Sequence, residues 1–354
     1  MPAGERALKG RGATDNPANR FERLHVVAED AWTDPEDPLP RTVFLQDASR
    51  GILARNQSPD VGFEYSINPY RGCEHGCIYC YARPTHEYLG FSAGLDFESK
   101  ILVKRDAPAL LRKALMSPRW TPQVIAMSGV TDPYQPVERR LRITRGCLEV
   151  LTEFRNPVAI VTKNHLVTRD VDLLGELASY GAAAVNVSVT SLRPELQRVM
   201  EPRTSTPLRR LEAIRKLAEA GIPVRAMVAP VVPGLTDEEI PAIVQAVADA
   251  GATSASYLLM RLPHAVKELF ADWLEAHFPE RRGRVLHRVR EVRSGRLNDP
   301  RFGSRMRGEG PYADQIGQLF RAAVRKAGLD GGGPPLSSAA FRRPDPGGQL
   351  PLFG

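Results

Sequence analysis

The sequence predicts an α/β protein whose parallel sheet winds one way, toward a barrel or an open barrel. Three observations carry this. Six short apolar segments recur with a helical stretch after each. Their cores are near-continuous apolar runs, as in Val124-Ile125-Ala126-Met127 and Val158-Ala159-Ile160-Val161, which marks strands buried on both faces. Glycine closes helices before the next strand, as at Gly221 and Gly251, where a left-handed residue ends the helix cheaply. Six strand–helix units in series, joined by right-handed crossovers, fall short of the eight of a closed barrel. An open doubly wound sheet is the alternative, and both arrangements gather ligands at the C-terminal ends of the strands.

In chain order, Phe63 to Ile67 is the first strand and leads into a cysteine cluster. Ala107 to Met116 is a helix with Leu110, Leu111 and Leu115 on one side. The second strand, Val124 to Met127, is followed by a helix from Ile143 to Phe154, and the third, Val158 to Val161, by a helix from Asp170 to Tyr180. Ala184 to Val189 pairs with the helix Pro207 to Ala220, and Val224 to Val228 with Asp237 to Ala250. Tyr257 to Met260 and the helix Val266 to Phe278 complete the series. The chain therefore divides into a polar, proline-rich N-terminal extension (1–60), a core (61–280), a basic segment (281–330) and a low-complexity tail (331–354). The tail is too poor in apolar residues to fold by itself.

Composition narrows the function. The 354 residues are 42% hydrophobic and 25% charged, within the range of ordinary globular proteins. No apolar run approaches the roughly 18 residues of a membrane span, and Met1 to Arg6 has no secretory character. Four cysteines, three of them within eight residues, cannot build a disulfide framework, so a cytoplasmic, reducing setting is expected. The net charge is +7, and only eight of the 48 basic residues are lysine. GC-rich codons alone explain a general arginine excess. The local excess says more: Arg281 to Arg307 holds ten arginines against Glu291 and Asp299, a run that reads as a phosphate-facing, nucleic-acid-binding surface.

The cysteines stand as Cys73-x3-Cys77-x2-Cys80, with Gly72 and Gly76 between and beside them. Thiolates this close suit a soft metal centre. Three thiolates on a [4Fe–4S] cube leave one iron without a protein ligand and open to a small chelating molecule. A zinc site of three cysteines with His75 or His86 is the alternative, although no second C-x2-C pair is present. The fourth cysteine, Cys147, lies on the apolar side of its helix with Ile143, Val150 and Phe154 and reads as inert packing.

This spacing, with Tyr79 just before the last cysteine, resembles the radical S-adenosylmethionine (SAM) superfamily. From about Asn68 to Pro263 the chain is similar to the spore photoproduct lyase family of DNA repair enzymes within it. The resemblance implies a partial (βα)6 barrel, a [4Fe–4S] cluster on Cys73, Cys77 and Cys80, and SAM on the open iron. It implies reductive cleavage of SAM to a 5′-deoxyadenosyl radical that takes hydrogen from a substrate, with flavodoxin or ferredoxin as reductant. It places Tyr79 and Tyr81 beside the cluster, Thr131 at a cofactor-contacting serine, and Lys163 on the cofactor carboxylate. Ser188 matches a serine ending the fourth strand, Ala229-Pro230 a fifth-strand pair beside the adenine, and Glu201-Pro202 with Thr204-Ser205 a Glu-Pro-x-Thr-Ser stretch. The chain departs from the family where a hydrogen-donor cysteine precedes Thr131-Asp132: Gly129 and Val130 stand there. Substrate chemistry therefore differs from the lyase route. A damaged or modified nucleic-acid base is the expected substrate, with a peptide or small metabolite, or a zinc-bearing nucleic-acid-binding module, as alternatives. Tyr134, Gln135 and Glu138 are expected at the substrate mouth. Gln349 to Phe353 resembles the peptide by which bacterial proteins dock on the DNA sliding clamp.

Overall fold

The computed structural model describes residues 8–21 and 41–344. Ten strands form two sheets: β1 (Val43–Gln46), β2 (Leu53–Arg55), β3 (Tyr65–Ile67), β4 (Tyr70–Arg71), β5 (Lys100–Val103), β6 (Ile125–Met127), β7 (Val158–Thr162), β8 (Ala183–Ser188), β9 (Val224–Val231) and β10 (Ser254–Leu259). The main sheet runs β10-β9-β8-β7-β6-β3-β2. Neighbours from β3 to β10 are parallel and follow chain order, which is the one-way winding of an open six-unit barrel. Within this sheet β2 alone is antiparallel, pairing with β3 at the edge.

The apolar runs form strands because both faces are covered. Val158, Ile160, Val185, Val187, Val224 and Val228 are essentially inaccessible to water. Against them lie helices Ile143–Phe154, Val171–Ser179, Pro207–Glu219 and Ile240–Asp249. These boundaries fall within a few residues of those the sequence predicts.

Three features lie outside what the sequence predicts. First, β1 and β4 flank β5 in a small separate sheet, so part of the N-terminal extension is structural. Second, the basic segment is continuous with the core. Helix Pro279–Glu291 buries Val285, Leu286 and Val289 against Phe270, Trp273 and Leu274, and helix Pro311–Lys326 sends Ile316, Phe320 and Val324 into the main core. Third, the low-complexity stretch from Gly331 is tied down as far as Pro344. Arg225 donates to the Pro334 carbonyl (2.6 Å), the Ser337 and Arg342 amides donate to Gly181 and Phe154 (both 2.9 Å), and Arg343 donates to Leu115, Ser117 and Trp120. Those partners sit ahead of β9, β8, β7 and β6 or at the start of the strand, so the strap crosses the floor of the barrel, opposite the C-terminal ends of its strands. The peptide Gln349–Phe353 lies outside the described residues. Among the described residues no helix is long and apolar enough to cross a membrane.

Candidate metal and cofactor centre

The cysteine loop leaves the first barrel strand, β3, at Ile67. Gly72 and Gly76 take positive φ values of 79° and 66°, a conformation that a side chain disfavours, and so let the loop curl. Cys73 and Cys77 are buried and Cys80 is partly so. Burial pushes the Cys80 thiol up to about 11, with Cys73 adding to the rise, and raises Cys77 through burial and the nearby Glu201 carboxylate. Unliganded, the Cys77 and Cys80 thiols are thus held as neutral groups, and metal binding would displace their protons.

The loop is braced from both sides. The Glu74 amide donates to Gln135 Oε1 (3.0 Å), and Glu74 Oε2 accepts from the Val137 amide (2.8 Å). On the outer side, the Gly12 and Ala13 amides donate to the buried Glu98 carboxylate at 3.0 and 2.9 Å, which also pairs with the buried Arg83. Gly12 is so close that a Cβ there would stand 1.8 Å from the Gly76 carbonyl oxygen.

The other strand ends complete a crater. After β6, Asn68 Oδ1 accepts from the amides of Gly129 and Val130 (3.0 and 2.9 Å), and the Thr131 hydroxyl donates to the Tyr70 carbonyl (2.9 Å). Asp132 accepts from the Thr162 hydroxyl and the Lys163 amide, both at 2.8 Å, and faces His75 Nδ1 at 3.4 Å. Burial disfavours the charged imidazole, but Asp132 and Cys73 outweigh it and raise His75 to about 10. Lys163, after β7, donates to the Thr190 hydroxyl (3.0 Å) and the Ala229 carbonyl (2.8 Å), and pairs with Glu201 at 3.2 Å. Its ammonium stands 5.8 Å from the centre of the Tyr79 ring. Glu201, 1% exposed, also accepts from Tyr79, Thr190 and the buried Arg210. Burial opposes its ionisation, yet Arg210 and Lys163 hold the carboxyl far below the usual range.

The structure therefore brings Cys77, Tyr79, Lys163 and Ala229 together around Glu201. Ser188 sits behind them, its carbonyl accepting from Arg210 (3.1 Å). Tyr81 stands apart: half exposed, its hydroxyl donates to the Gly129 carbonyl (3.0 Å), and Arg261 covers its ring at 4.5 Å. Tyr134, Gln135 and Glu138 do not line the mouth. All three are fully buried, Glu138 accepting from Tyr70 and the Thr144 amide; the prolines of that loop turn it inward as a brace. Cys147 is fully buried in the core, as its helical position predicts.

The donor set discriminates between metal centres. Among the described residues, no three His, Cys, Asp or Glu side chains close around one ion-sized point. A tetrahedral zinc ion with Zn–S of about 2.3 Å needs its thiolates within about 3.8 Å of each other. A polynuclear cluster takes them on separate irons and needs no such convergence. His86 turns its Nε2 to the Lys100 carbonyl at 2.9 Å, and its ring packs beside Phe91 and Phe97. Three thiols offered by one loop are a donor set that a polynuclear cluster can use.

A six-strand open parallel barrel, with clustered cysteines in the loop after its first strand and a lysine at the end of its third, defines the radical SAM class of enzyme. A family model of the Radical SAM superfamily matches residues 67–247, and the chain belongs to that superfamily. Its members use SAM and an iron–sulfur cluster. An uncharacterized protein of Mycobacterium tuberculosis (strain H37Rv) is 36% identical over 294 residues, covering 81% of this chain and 83% of the relative. An uncharacterized protein of Methanocaldococcus jannaschii is 29% identical, covering 64% and 80%. Spore photoproduct lyase shares the fold at a TM-score of 0.56 and 18% identity, over 82% of this chain and 80% of the lyase. One structure of that lyase carries AdoMet and a dinucleoside spore photoproduct.

Proposed function

We propose that the protein uses a [4Fe–4S] cluster, held by Cys73, Cys77 and Cys80, to abstract hydrogen from a nucleic-acid base. When bound, the reduced cluster supplies the electron that cleaves the sulfonium bond of SAM to methionine and a 5′-deoxyadenosyl radical, which takes a substrate hydrogen. The observation that carries the reading is the placing of three cysteines beside Lys163 at the open end of the barrel. Lys163 is already fixed by Thr190 and the Ala229 carbonyl, so a cofactor carboxylate meets a pre-positioned cation and forms a charge-assisted bond. Glu201 and Arg210 hold that lysine and Tyr79 from behind. Thr131, Ser188 and Ala229 stand at strand ends suited to the rest of the cofactor.

Gly129 and Val130, in the place of the lyase family's donor cysteine, cannot return a hydrogen atom, and Cys147 is sealed in the core. The product radical is therefore quenched by another route. Brown colour, iron with matching sulfide, and release of 5′-deoxyadenosine under anaerobic reduction test the proposal. Cys77→Ala is expected to fold but to hold no complete cluster and release none. Wild-type iron content and cleavage in that variant refute it.

A further inference from the structure

Beside Cys80, a cleft of ≈ 530 Å³ opens at the end of the sixth barrel strand. Tyr81, the residue after Cys80, forms one wall; Arg261, Lys267, Arg296, Asn298 and Arg305 are among the others. Its charge is lopsided. Arg305 is neutralised by Asp60, and the one acid of the lining, Asp299, is paired with Arg301 at 2.8 Å. His264 meets Arg20 at 2.9 Å. The side chains of Arg261, Lys267 and Arg296 have no ion-pair or hydrogen-bond partner among the described residues.

Arg261 is the most informative of the three. It is partly buried, stacks on Tyr81, and shares the cleft with a second guanidinium, Arg305. Burial first, and then Arg305, lower its pKa, and the nearby Asp60 carboxylate offsets only part of this. Holding a cation without an ion pair partly out of water costs free energy that the described residues recover only in part. An anionic ligand recovers it. Arg261 and Lys267, both partly buried, and the exposed Arg296 surround a nucleotide-sized volume next to a half-exposed aromatic ring, and so combine charge with a stacking platform as single-stranded nucleic-acid sites do.

We propose that this cleft is a phosphodiester subsite, in which Arg261, Lys267 and Arg296 hold backbone phosphates of a single-stranded segment while Tyr81 stacks on a base. The inference rests on the reading of Cys73, Cys77 and Cys80 as the radical centre, because the subsite serves to deliver a nucleoside there. It also moves the nucleic-acid interface away from the exposed face of helix Pro279–Glu291.

The test is fluorescence anisotropy of the full chain with a labelled oligothymidylate of about 12 nucleotides, repeated with the matching RNA, between about 50 and 200 mM salt. Lys267→Gln/Arg296→Gln is expected to weaken binding of one or both strands about tenfold or more. The slope of log affinity against log salt should shrink by about 1.4, or about 0.7 for each single-strand phosphate no longer neutralised. Arg261→Gln should weaken binding as well. Arg284→Gln/Arg290→Gln, on the helix face, should stay within about twofold, and melting curves show that each variant folds. Unchanged affinity and slope in the cleft variants overturn the proposal, as does a loss confined to the helix pair. Wild-type protein without salt-sensitive binding overturns it too, and so does displacement by thymidine monophosphate at concentrations matching the oligonucleotide, which marks a small-metabolite site. Wild-type 5′-deoxyadenosine release without oligonucleotide reads the radical chemistry separately. If that release is absent while the cleft variants lose binding, the subsite stands and the proposed function falls.

Discussion

Arg209 and Arg210 are neighbours on helix Pro207–Glu219, and removing each should have very different consequences. Arg210 is 1% exposed, as is its partner Glu201. It also donates to the carbonyls of Ser205 (2.8 Å) and Ser188 (3.1 Å) and to the Thr204 hydroxyl (2.6 Å). Arg210→Ala leaves the Glu201 carboxylate buried with less compensation and orphans two carbonyls. Breaking one side of a buried pair costs about 3–5 kcal/mol. With an unfolding entropy of about 2.1 cal/mol/K per residue, the 354-residue chain loses about 0.7 kcal/mol per degree, so the midpoint should fall by about 4–7 °C. Arg209, more than half exposed, pairs with Glu212 in solvent, and Arg209→Ala should move the midpoint by no more than about 1 °C. Thermal unfolding of anaerobically purified protein by circular dichroism reads both. An Arg210→Ala midpoint within a degree of wild type, or no lower than that of Arg209→Ala, refutes the buried-network account.

Four further outcomes follow from the same geometry. Burial holds His86 at about 4, below the usual 6.5, so the unfolded chain takes up a proton first as pH falls. Stability should therefore drop from about pH 6.5 toward 4, by about 1.4 kcal/mol, or about 2 °C, at pH 5.5; His86→Gln, melted at pH 8 and 5.5, should lack this component. Gly12→Val drives a side chain into the Gly76 carbonyl and should cost about 1–3 kcal/mol while lowering the iron retained after desalting. Cys147→Ala should keep its full iron content, whereas Cys77→Ala loses it, as metal analysis reads directly. Lys163→Ala should weaken SAM binding about tenfold or more through loss of a charge-assisted bond, measured by equilibrium dialysis.

Much of the barrel was legible because its strands are local apolar runs between amphipathic helices, as in Val158–Thr162 and Ile143–Phe154, where pattern and burial coincide. The cysteine spacing was legible because all three thiols lie in one loop, Cys73 to Cys80, so no remote pairing had to be known. What escaped depends on pairings remote along the chain. Strand β1 pairs with β5 across more than fifty residues, and neither segment is long or alternating enough to signal a strand alone. Glu201 stood in a recognised motif, but nothing local tells that it gathers Tyr79, Lys163, Thr190 and Arg210. Arg261 and Lys267 lie outside the arginine-rich run, and only the fold sets them beside Arg296. Conversely, the arginine count overstated the free charge. Arg293 is spent on the carbonyls of Leu259, Met260 and Ser304, and Arg301 and Arg305 on carboxylates.

The strap from Gly331 to Pro344 gives the molecule a direction. It stitches the floor and ends beneath β6, while the cysteines and the cleft look out from the other pole. The described end of the chain is therefore fastened at the floor, and the open pole is left to the strand ends alone.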